Sequence, residues 1–260
     1  MLQWKIFAVD LARKAGVLLK EKFSQKHDIH YKGEINLVTE ADKMSDDLII
    51  TAIRQTFPDH GILSEESPAI VGGGKFRWII DPLDGTTNYA HGYPVFCVSI
   101  ALVKEDAIVL GVIYDPLREE MFVAVRGEGA FLNGKKMAVS PTRDISRSLL
   151  ATGFPYDIRE SKENNLDYFN VMAKEVQAIR RAGAAALDIA YVASGRFDGF
   201  WELKLMPWDM AAGCLMVEES GGVVSGLFGE RWSMSSPHVL VSNGLIHEQM
   251  IAVFKKTVQK

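Results

Sequence analysis

The sequence predicts an α+β fold with a mostly antiparallel first sheet, covering helices and a mixed second sheet. Three observations predict this class: helical periodicity at the N-terminus, a hairpin signal at Asn133-Gly134, and strands that alternate with helices after about residue 145. The 260 residues suffice for one large domain or two tightly joined halves. We expect a single domain, 1–260, whose halves at about 1–145 and 146–260 share a core.

Helical signals dominate the first sixty residues. Apolar side chains recur at helical spacing, with charges between them, and predict an amphipathic surface helix: Trp4, Phe7, Leu11, Ala15, Leu18 and Leu19. Residues 33–36 are typical of a loop. Thr39 then has the position of an N-cap, with Asp42 at the capping-box position, and Pro58 ends this second helix.

Short apolar runs between residues 61 and 140 predict the strands of the first sheet. They are Ile62-Leu63, Phe76–Ile80, Phe96–Val103, Ile108–Tyr114 and Met121–Val125. Asn133-Gly134 lies between the apolar runs Ala130–Leu132 and Met137–Val139, which predicts a hairpin.

Strands and helices alternate in the second half. The predicted elements are a strand at Leu149–Thr152, helices near Leu166–Val176 and Ala184–Ser194, a strand at Gly199–Leu203, an apolar helix at Met210–Glu219, a strand at Val239–Ser242 and a helix from about Leu245. Gly195 and the pair Gly221-Gly222 follow two of these helices, as expected for helix ends.

Composition excludes several classes of protein. Lys and Arg number 29 against 33 Asp and Glu, a formal net charge of −4, which excludes a basic protein that coats nucleic acid. Cys97 and Cys214 lie in apolar runs and predict buried side chains, not a disulfide framework. With no signal peptide and no apolar run of about 18 residues, we expect a cytoplasmic protein without a membrane span.

Two generic catalytic motifs are excluded. Gly129 to Lys135 begins like a P-loop, but Lys136 stands where that motif needs Ser or Thr, and a hairpin replaces the strand–loop–helix. The sequence contains no Gly-x-Ser-x-Gly nucleophile elbow.

The most informative segment is Asp81-Pro82-Leu83-Asp84-Gly85, directly after an apolar strand. Strand ends often carry functional residues, and hard oxygen ligands beside a phosphate-binding turn suit Mg²⁺. We expect Pro82 to fix a turn, Gly85 to permit close backbone approach, and the N–H groups of Gly85-Thr86-Thr87 to hold an anion. Because these residue types all favour turns, the pentapeptide alone fits a plain turn and a metal site equally well.

Further acids lie at predicted strand ends and helix starts. Glu65-Glu66 ends a short strand, Asp209 has the position of a helix N-cap, and Asp42 lies on the second helix. Taken singly, each has a structural explanation: a solvated acidic pair, a cap and a surface residue. Together with Asp81 and Asp84, they form the carboxylate set that two divalent ions about 4 Å apart require.

Four segments resemble the motifs of the inositol monophosphatase family, in the order in which the family has them. They are Asn36–Asp42, Ser64–Ser67, Asp81–Asn88 and Trp208–Gly213, and the stretch Gly127–Gly134 is also similar. The resemblance implies a layered α-β-α-β-α sandwich and Mg²⁺-dependent hydrolysis of a phosphate monoester. It places the metal and the phosphate in the first half and the rest of the substrate in the second.

The resemblance also implies ligands for two to three Mg²⁺ ions. Glu65, Asp81 and the Leu83 carbonyl would hold the first ion. Asp81, Asp84 and Asp209 would hold the second, and a third, weaker ion would contact Glu65 and water.

Catalytic roles follow from the same resemblance. Thr86, paired with Asp42, would orient and help to deprotonate the attacking water, so Glu65, Thr86 and Asp42 are the candidate catalytic residues. The amides of Gly85 and Thr86 would bind phosphate oxygens.

Residues of the second half bear on the rest of the substrate. Glu202 lies seven residues before Asp209, the spacing at which members that hydrolyse inositol phosphate have a Glu in contact with sugar hydroxyls. Gly183-Ala184-Ala185 resembles the stretch beside the polyol, but the usual central Thr is Ala184 here, so one hydroxyl contact is lost. Asp209 completes the candidate substrate-binding set.

These residues favour an inositol monophosphate over a 3′-phosphoadenosine nucleotide or fructose 1,6-bisphosphate. A carboxylate at Glu202 accepts hydrogen bonds from a polyol and repels a second phosphate. Arg180 and Arg181 instead favour a substrate with two phosphates, because they can hold the second phosphate. Their structural explanation is a solvated pair of charges on a connection.

We therefore expect an inositol-1-monophosphatase. One alternative is a fructose-1,6-bisphosphatase or an enzyme with both activities. An alternative from another functional class is a non-catalytic regulatory binding protein with the same fold. Every matched acid and Thr86 are present, which favours catalysis. The resemblance also implies lithium inhibition and a homodimer. The loop Tyr31–Asn36, with Lys32, is expected to act as a flap over the site.

Overall fold

A computed structural model of the chain describes residues 1–23, 29–31 and 37–258. The helices are α1 (Leu2–Phe23), α2 (Glu40–Thr56), α3 (Thr86–Ala90), α4 (Leu166–Met172), α5 (Ala185–Ala193), α6 (Pro207–Glu219) and α7 (His247–Val258). The strands are β1 (Ile29–Tyr31), β2 (Leu37–Thr39), β3 (Gly61–Ser64), β4 (Phe76–Asp84), β5 (Cys97–Lys104), β6 (Ala107–Asp115), β7 (Glu120–Val125), β8 (Gly129–Leu132), β9 (Lys135–Lys136), β10 (Leu149–Thr152), β11 (Ala178–Arg180), β12 (Gly199–Leu203), β13 (Val223–Ser225) and β14 (His238–Ser242). Residues 32–36 of the predicted loop and flap, Lys32 among them, lie outside the described residues.

These elements form the expected α-β-α-β-α layers. α1 and α2 cover one face of the first sheet, and α5 and α6 lie between the two sheets. α4 and α7 cover the outer face of the second sheet. Within the described ranges, no helix is both long enough and apolar enough to cross a bilayer.

The first sheet has seven strands in the order β3-β4-β5-β6-β7-β8-β9. All neighbours run antiparallel except β3 and β4, which are parallel, so the expectation of a mostly antiparallel sheet is confirmed. The hairpin at Asn133-Gly134 is also present. Its second strand, however, is β9 rather than the predicted Met137–Val139, because the Val139 amide donates to the Ser220 carbonyl beyond α6.

The second sheet is mixed, as predicted, with the strand order β11-β10-β12-β14-β13. β10 runs parallel to β11 and β12, and β14 runs antiparallel to β12 and β13. The sequence did not indicate β11 or β13, since each has only three residues. The helix predicted to reach Val176 ends at Met172 as α4.

The middle layer explains the apolar character of α6. Every residue from Met210 to Val217 is buried, because one side of the helix packs on the first sheet and the other on α5 and the second sheet. Gly111 of β6 permits this contact, since a Cβ there would lie 2.7 Å from the Ala212 carbonyl oxygen. The resulting apolar cluster contains residues of both halves, among them Phe122 and Val241.

Candidate active site

Glu65 and Asp81 are brought together by the parallel pairing of β3 with β4. Ser64 of β3 pairs with Ile80 of β4, and the Glu65 amide continues the ladder by donating to the Ile80 carbonyl at 3.2 Å. The next residue of each strand is therefore an acid. Glu65 lies just beyond the end of β3, as predicted from the position of strand ends, whereas Asp81 remains within β4 and pairs with Ser99 of β5.

The segment from Asp81 to Gly85 differs from the predicted turn. β4 does not end at Ile80 but continues to Asp84, with a register shift between Asp81 and Asp84. Pro82 thus lies in a strand irregularity, where its missing N–H breaks no ladder bond, and our assignment of a turn to it was wrong. Gly85, with φ of 93°, then starts α3; a Cβ there would lie 2.8 Å from the Val95 carbonyl oxygen.

Helix α2 approaches this segment from the outer face of the sheet. Asp42 is buried, and its Oδ2 lies 3.5 Å from Thr86 Oγ1, at the limit of a hydrogen bond. Thr86 Oγ1 lies closer, 3.0 Å, to the Leu83 carbonyl oxygen. The structure therefore brings Asp42, Thr86 and the Leu83 carbonyl together, with the threonine between the other two.

Asp209 enters the site from α6, although not as the predicted N-cap. Met206 is the N-cap, and Asp209 is the third residue of the helix, where its Oδ2 accepts the Met206 amide at 2.7 Å. The Trp208 carbonyl accepts the Ser99 hydroxyl at 3.3 Å, and Ser99 pairs with Asp81 across β5 and β4. The start of α6 is thereby fixed beside the Asp81–Asn88 motif.

Asp84 joins the two halves of the chain. Its Oδ2 accepts the Ala186 amide at the start of α5 at 2.8 Å and the Cys97 thiol at 3.6 Å. Cys97 and Cys214 are both free and buried, as predicted.

We refer to Glu65, Asp81, Leu83, Asp84 and Asp209 as the metal end of the site.

Burial and mutual repulsion favour protonation of these acids. Burial, and then the charges of Glu65 and Asp84, raise the pKa of Asp81 well above its ordinary value. Burial raises the pKa of Asp84 to about 7, against the opposing effect of the hydrogen bonds from Ala186 and Cys97. Burial and then the Asp84 charge raise the pKa of Asp209 to about 7. A cation bound among these carboxylates would take the place of the protons.

The donor set at the metal end fits a hard divalent cation. Asp81 Oδ1 accepts the Leu83 amide at 3.0 Å, whereas the buried Asp81 Oδ2 has no hydrogen-bond partner among the described atoms. A buried acceptor left in that state costs about 1–3 kcal/mol, which a bound cation would offset. Oxygen donors of this kind suit Mg²⁺.

The acids do not form a closed cage by themselves. Among the described residues, no three His, Cys, Asp or Glu side chains are close enough to hold a metal ion without rearrangement. Two causes are visible: Asp84 and Asp209 each direct one oxygen to a backbone N–H, and uncompensated carboxylates repel one another.

Gly183, Ala184, Ala185 and Glu202 form what we call the substrate end of the site. Glu202 lies on β12 against Gly153, where a Cβ would come within 2.0 Å of Glu202 Oε1. Burial and then the Asp209 charge raise the pKa of Glu202 to about 8, and the Arg181 charge opposes this shift. Gly183 has φ of 85° and precedes α5.

Asn88 connects the substrate end to the Asp81–Asn88 motif. Its Nδ2 donates to the Ala182 carbonyl at 2.9 Å and to the Val95 carbonyl at 2.8 Å, with a longer contact of 3.3 Å to the Gly183 carbonyl. The backbone before α5 is thus held close to the helical turn that starts at Thr86.

The two arginines have different surroundings. Arg180 ends β11, and its guanidinium donates at 3.3 Å to the carbonyl of Ile179, the preceding residue. Arg181 Nη1 lies 2.5 Å from the position that a Cβ on Gly183 would take. Its charge lowers the pKa of Glu202 and of Asp188, against the larger effect of burial on each. Arg181, not Arg180, therefore faces the substrate end.

Sequence reasoning missed three polar residues near the site. Asn88 lies inside the Asp81–Asn88 motif, but nothing in the sequence indicates that its side-chain amide bonds a segment almost a hundred residues away. Asp188 is buried on α5, and its Oδ1 has no hydrogen-bond partner among the described atoms. Asp46 is buried on α2; it lies one turn after Asp42, and this helical spacing was the available signal.

The layered arrangement of helices and two sheets matches that of a family of phosphatases, and comparisons identify the family. The model of the inositol monophosphatase family matches residues 1–259. The chain belongs to this family.

Several relatives cover nearly the whole chain. An inositol-1-monophosphatase of Synechocystis sp. is 42% identical over 258 residues, 98% of this chain and 90% of the relative. The Nus factor SuhB of Escherichia coli K12 is 42% identical over 251 residues, 94% of this chain and 93% of that protein. The solved structure of inositol monophosphatase from Anabaena (Nostoc) sp. PCC 7120 is similar with a TM-score of 0.90 at 39% identity, covering 98% of this chain and 96% of the other.

Proposed function

We propose that the protein is a Mg²⁺-dependent phosphate monoester hydrolase whose substrate is an inositol monophosphate, converted to inositol and phosphate. The observation that carries the proposal is the buried Asp81 Oδ2, which has no hydrogen-bond partner among the described atoms and lies with acids from three separate segments. Membership of a generally metal-dependent phosphatase family supports it. In this proposal, residues 1–145 supply most of the metal and phosphate site, and residues 146–260 supply Asp209 and the substrate end.

The metal end would hold two to three ions. Glu65, Asp81 and the Leu83 carbonyl are the proposed ligands of one ion, and Asp81, Asp84 and Asp209 those of another, while a third contacts Glu65. When bound, Mg²⁺ lowers the pKa of water and neutralises charge on the phosphate.

Thr86 and Asp42 orient the attacking water in this mechanism. The Thr86 hydroxyl donates to the Leu83 carbonyl, which leaves its lone pairs to accept from water. Asp42 Oδ2 lies 3.5 Å from Thr86 Oγ1 and can accept the Thr86 hydroxyl proton when that hydroxyl turns away from the Leu83 carbonyl. Thr86 Oγ1 then takes up the proton that the water releases. The amides of Gly85 and Thr86 bind phosphate oxygens. The bond between phosphorus and the polyol oxygen breaks as the water oxygen attacks, and the polyol oxygen leaves with the bonding electrons and takes up a proton from solvent.

The substrate end would bind the polyol. Glu202 accepts hydrogen bonds from ring hydroxyls together with Asp209, and Gly183, Ala184 and Ala185 line the adjacent wall. Ala184 lacks a hydroxyl, so this wall contributes backbone contacts only.

Fructose 1,6-bisphosphate is the second candidate substrate, and the position of Arg181 favours it. The guanidinium lies over Gly183 and carries a fixed positive charge at the substrate end. A second phosphate of a bisphosphorylated sugar would meet this charge.

The similarity to proteins named Nus factor SuhB supports a function of another class, a regulatory protein with the same fold. We favour catalysis because Asp42, Glu65, Asp81, Asp84, Thr86 and Asp209 are all present. A homodimer and inhibition by Li⁺ remain predictions from family resemblance, and a cytoplasmic location remains a prediction from the sequence.

A phosphate-release panel tests the proposal. Purified protein is assayed with Mg²⁺ on inositol 1-phosphate, fructose 1,6-bisphosphate and 3′-phosphoadenosine 5′-phosphate. We expect the highest kcat/KM for inositol 1-phosphate. A higher value for fructose 1,6-bisphosphate would favour the second candidate, and no release from any of the three would favour the regulatory one.

A further inference from the structure

A second buried acid on α2, Asp46, is not used by the proposed mechanism. Asp46 is 2% exposed and lies one helical turn after Asp42, on the same face of the helix. Its Oδ1 accepts the Ser64 hydroxyl at 2.5 Å, and its Oδ2 accepts the Ser67 hydroxyl. Since each oxygen accepts a hydroxyl, the burial of this carboxylate is compensated by hydrogen bonds.

The two serines are the residues on either side of Glu65-Glu66. Ser64 is the last residue of β3 and pairs with Ile80, so the start of the segment is already fixed by the sheet. Ser67 lies beyond the strand, where its bond to Asp46 holds the far end of the segment to α2. One carboxylate therefore closes both ends of the short segment that carries Glu65.

The same helix also holds the segment that carries the other acids. Ser45, next to Asp46, donates to the Pro82 carbonyl at 2.9 Å, inside the irregular end of β4. Successive side chains of α2 thus bond the Glu65 segment and the Asp81–Asp84 segment. The spacing between Glu65 and Asp81 is set from the helix as well as from the pairing of β3 with β4.

We propose that Asp46 is a positioning residue that fixes Glu65 for metal binding through Ser64 and Ser67. This inference rests on the proposed function, because it takes Glu65 as a metal ligand. Asp46 itself touches neither substrate nor metal in this account. Its effect reaches the site only through the segment 64–67, and it should therefore appear in the affinity for Mg²⁺.

Three single variants of the full-length protein test the proposal: Asp46→Asn, Ser67→Ala and, as a control, Asp47→Ala. Asp47 has the same side chain on the same helix but is exposed. Mg²⁺ is titrated into metal-free protein by isothermal titration calorimetry, and phosphate release is measured against Mg²⁺ concentration. Loss of a residue that orients a metal ligand weakens binding by about tenfold to a hundredfold, so we expect about a tenfold higher Kd in both test variants. The control should match wild type.

A positioning role differs from a loss of folding in one respect: higher Mg²⁺ concentrations should recover phosphate release by Asp46→Asn and Ser67→Ala. Mg²⁺ affinities within about twofold of wild type in both variants would overturn the inference. If Asp46→Asn does not fold, Ser67→Ala decides, since its side chain is only partly buried. If the wild-type protein binds Mg²⁺ but releases no phosphate, the proposed function fails, and calorimetry still tests the role of Asp46. If the wild-type protein does not bind Mg²⁺, the proposed function and the role of Asp46 are both overturned.

Discussion

At the metal end of the site, Glu65 and Asp81 lie side by side because β3 ends beside the part of β4 that carries Asp81, and α2 adds hydrogen bonds to both segments. At the substrate end, Glu202 occupies the space left by the missing side chain of Gly153, and two side chains of the Asp81–Asn88 motif, Asn88 and Asp84, bond the backbone from Ala182 to Ala186. The metal end is thus fixed by several independent elements. The substrate end depends on a few side chains.

This difference predicts how each end responds to mutation. Substitutions at the metal end should remove activity on every substrate, because metal binding is common to all of them. Substitutions at the substrate end should change the ratio of activities among substrates. The predictions below test this contrast, beginning with the largest expected effect.

Asp84→Asn should abolish Mg²⁺-dependent phosphate release, with a loss of at least about 1,000-fold, because a metal ion supplies several kcal/mol of charge stabilisation. The fold should persist, since an Asn side-chain oxygen can still accept the Ala186 amide. Phosphate release and the thermal unfolding midpoint are the two measurements. Asp47→Asn is the matched control on an exposed position.

Gly153→Ala should act only at the substrate end. The added Cβ would lie 2.0 Å from Glu202 Oε1, so the Glu202 side chain must move. Because a hydrogen bond contributes about 0.5–1.5 kcal/mol and the polyol would lose those made by Glu202, we expect KM for inositol 1-phosphate to rise about tenfold. Gly73→Ala is the control, since a Cβ there has no atom within 4 Å.

The same substitution should leave kcat/KM for phenyl phosphate, which has no polyol, within about twofold of wild type if Glu202 binds only the polyol. An equal loss on both substrates would remove the distinction between the two ends.

Arg181→Met and Arg180→Met form a matched pair. Because Arg181 faces the substrate end and Arg180 bonds its own strand, only Arg181→Met should lower kcat/KM for fructose 1,6-bisphosphate. We expect about a fivefold loss, below the usual value of a charge-assisted hydrogen bond, because both side chains are exposed to solvent. Equal losses in the two variants would show that neither arginine specifically recognises the substrate.

The last prediction concerns stability without metal rather than activity. Asp84 and Asp209 have ordinary pKa values of 3.8 and folded-state pKa values of about 7, so the folded protein binds more protons than the unfolded chain between these limits. Their contribution to stability is therefore present below about pH 4 and lost as pH rises to about 7. Mg²⁺ should raise the unfolding midpoint more at pH 8 than at pH 5, and calorimetry at the two pH values checks this.

The sequence predicted the metal end better than the details that hold it. Glu65 and Asp81 could be placed together because strand ends follow from apolar runs, but the continuation of β4 through Pro82 depends on pairing with β5. Asp209 was placed at the start of a helix yet given the wrong position, since Pro207 begins that helix.

Contacts between distant segments were beyond prediction. Asp46 carries the spacing of a buried helix face, but its serine partners are 18 and 21 residues away, and no local pattern indicates them. Arg180 and Arg181 are identical in type and adjacent in sequence. Arg180 is the last residue of β11, whereas Arg181 follows the strand and lies over Gly183. This difference in position, which the sequence does not indicate, places only Arg181 at the site.

Metal-dependent hydrolysis is the central claim, and a single measurement tests it most directly. Wild-type protein is freed of metal with a chelator, and phosphate release from inositol 1-phosphate is followed before and after Mg²⁺ is added. We predict no release without Mg²⁺ and saturable release with it. Equal release in both conditions, or none after Mg²⁺ is restored, would contradict the account.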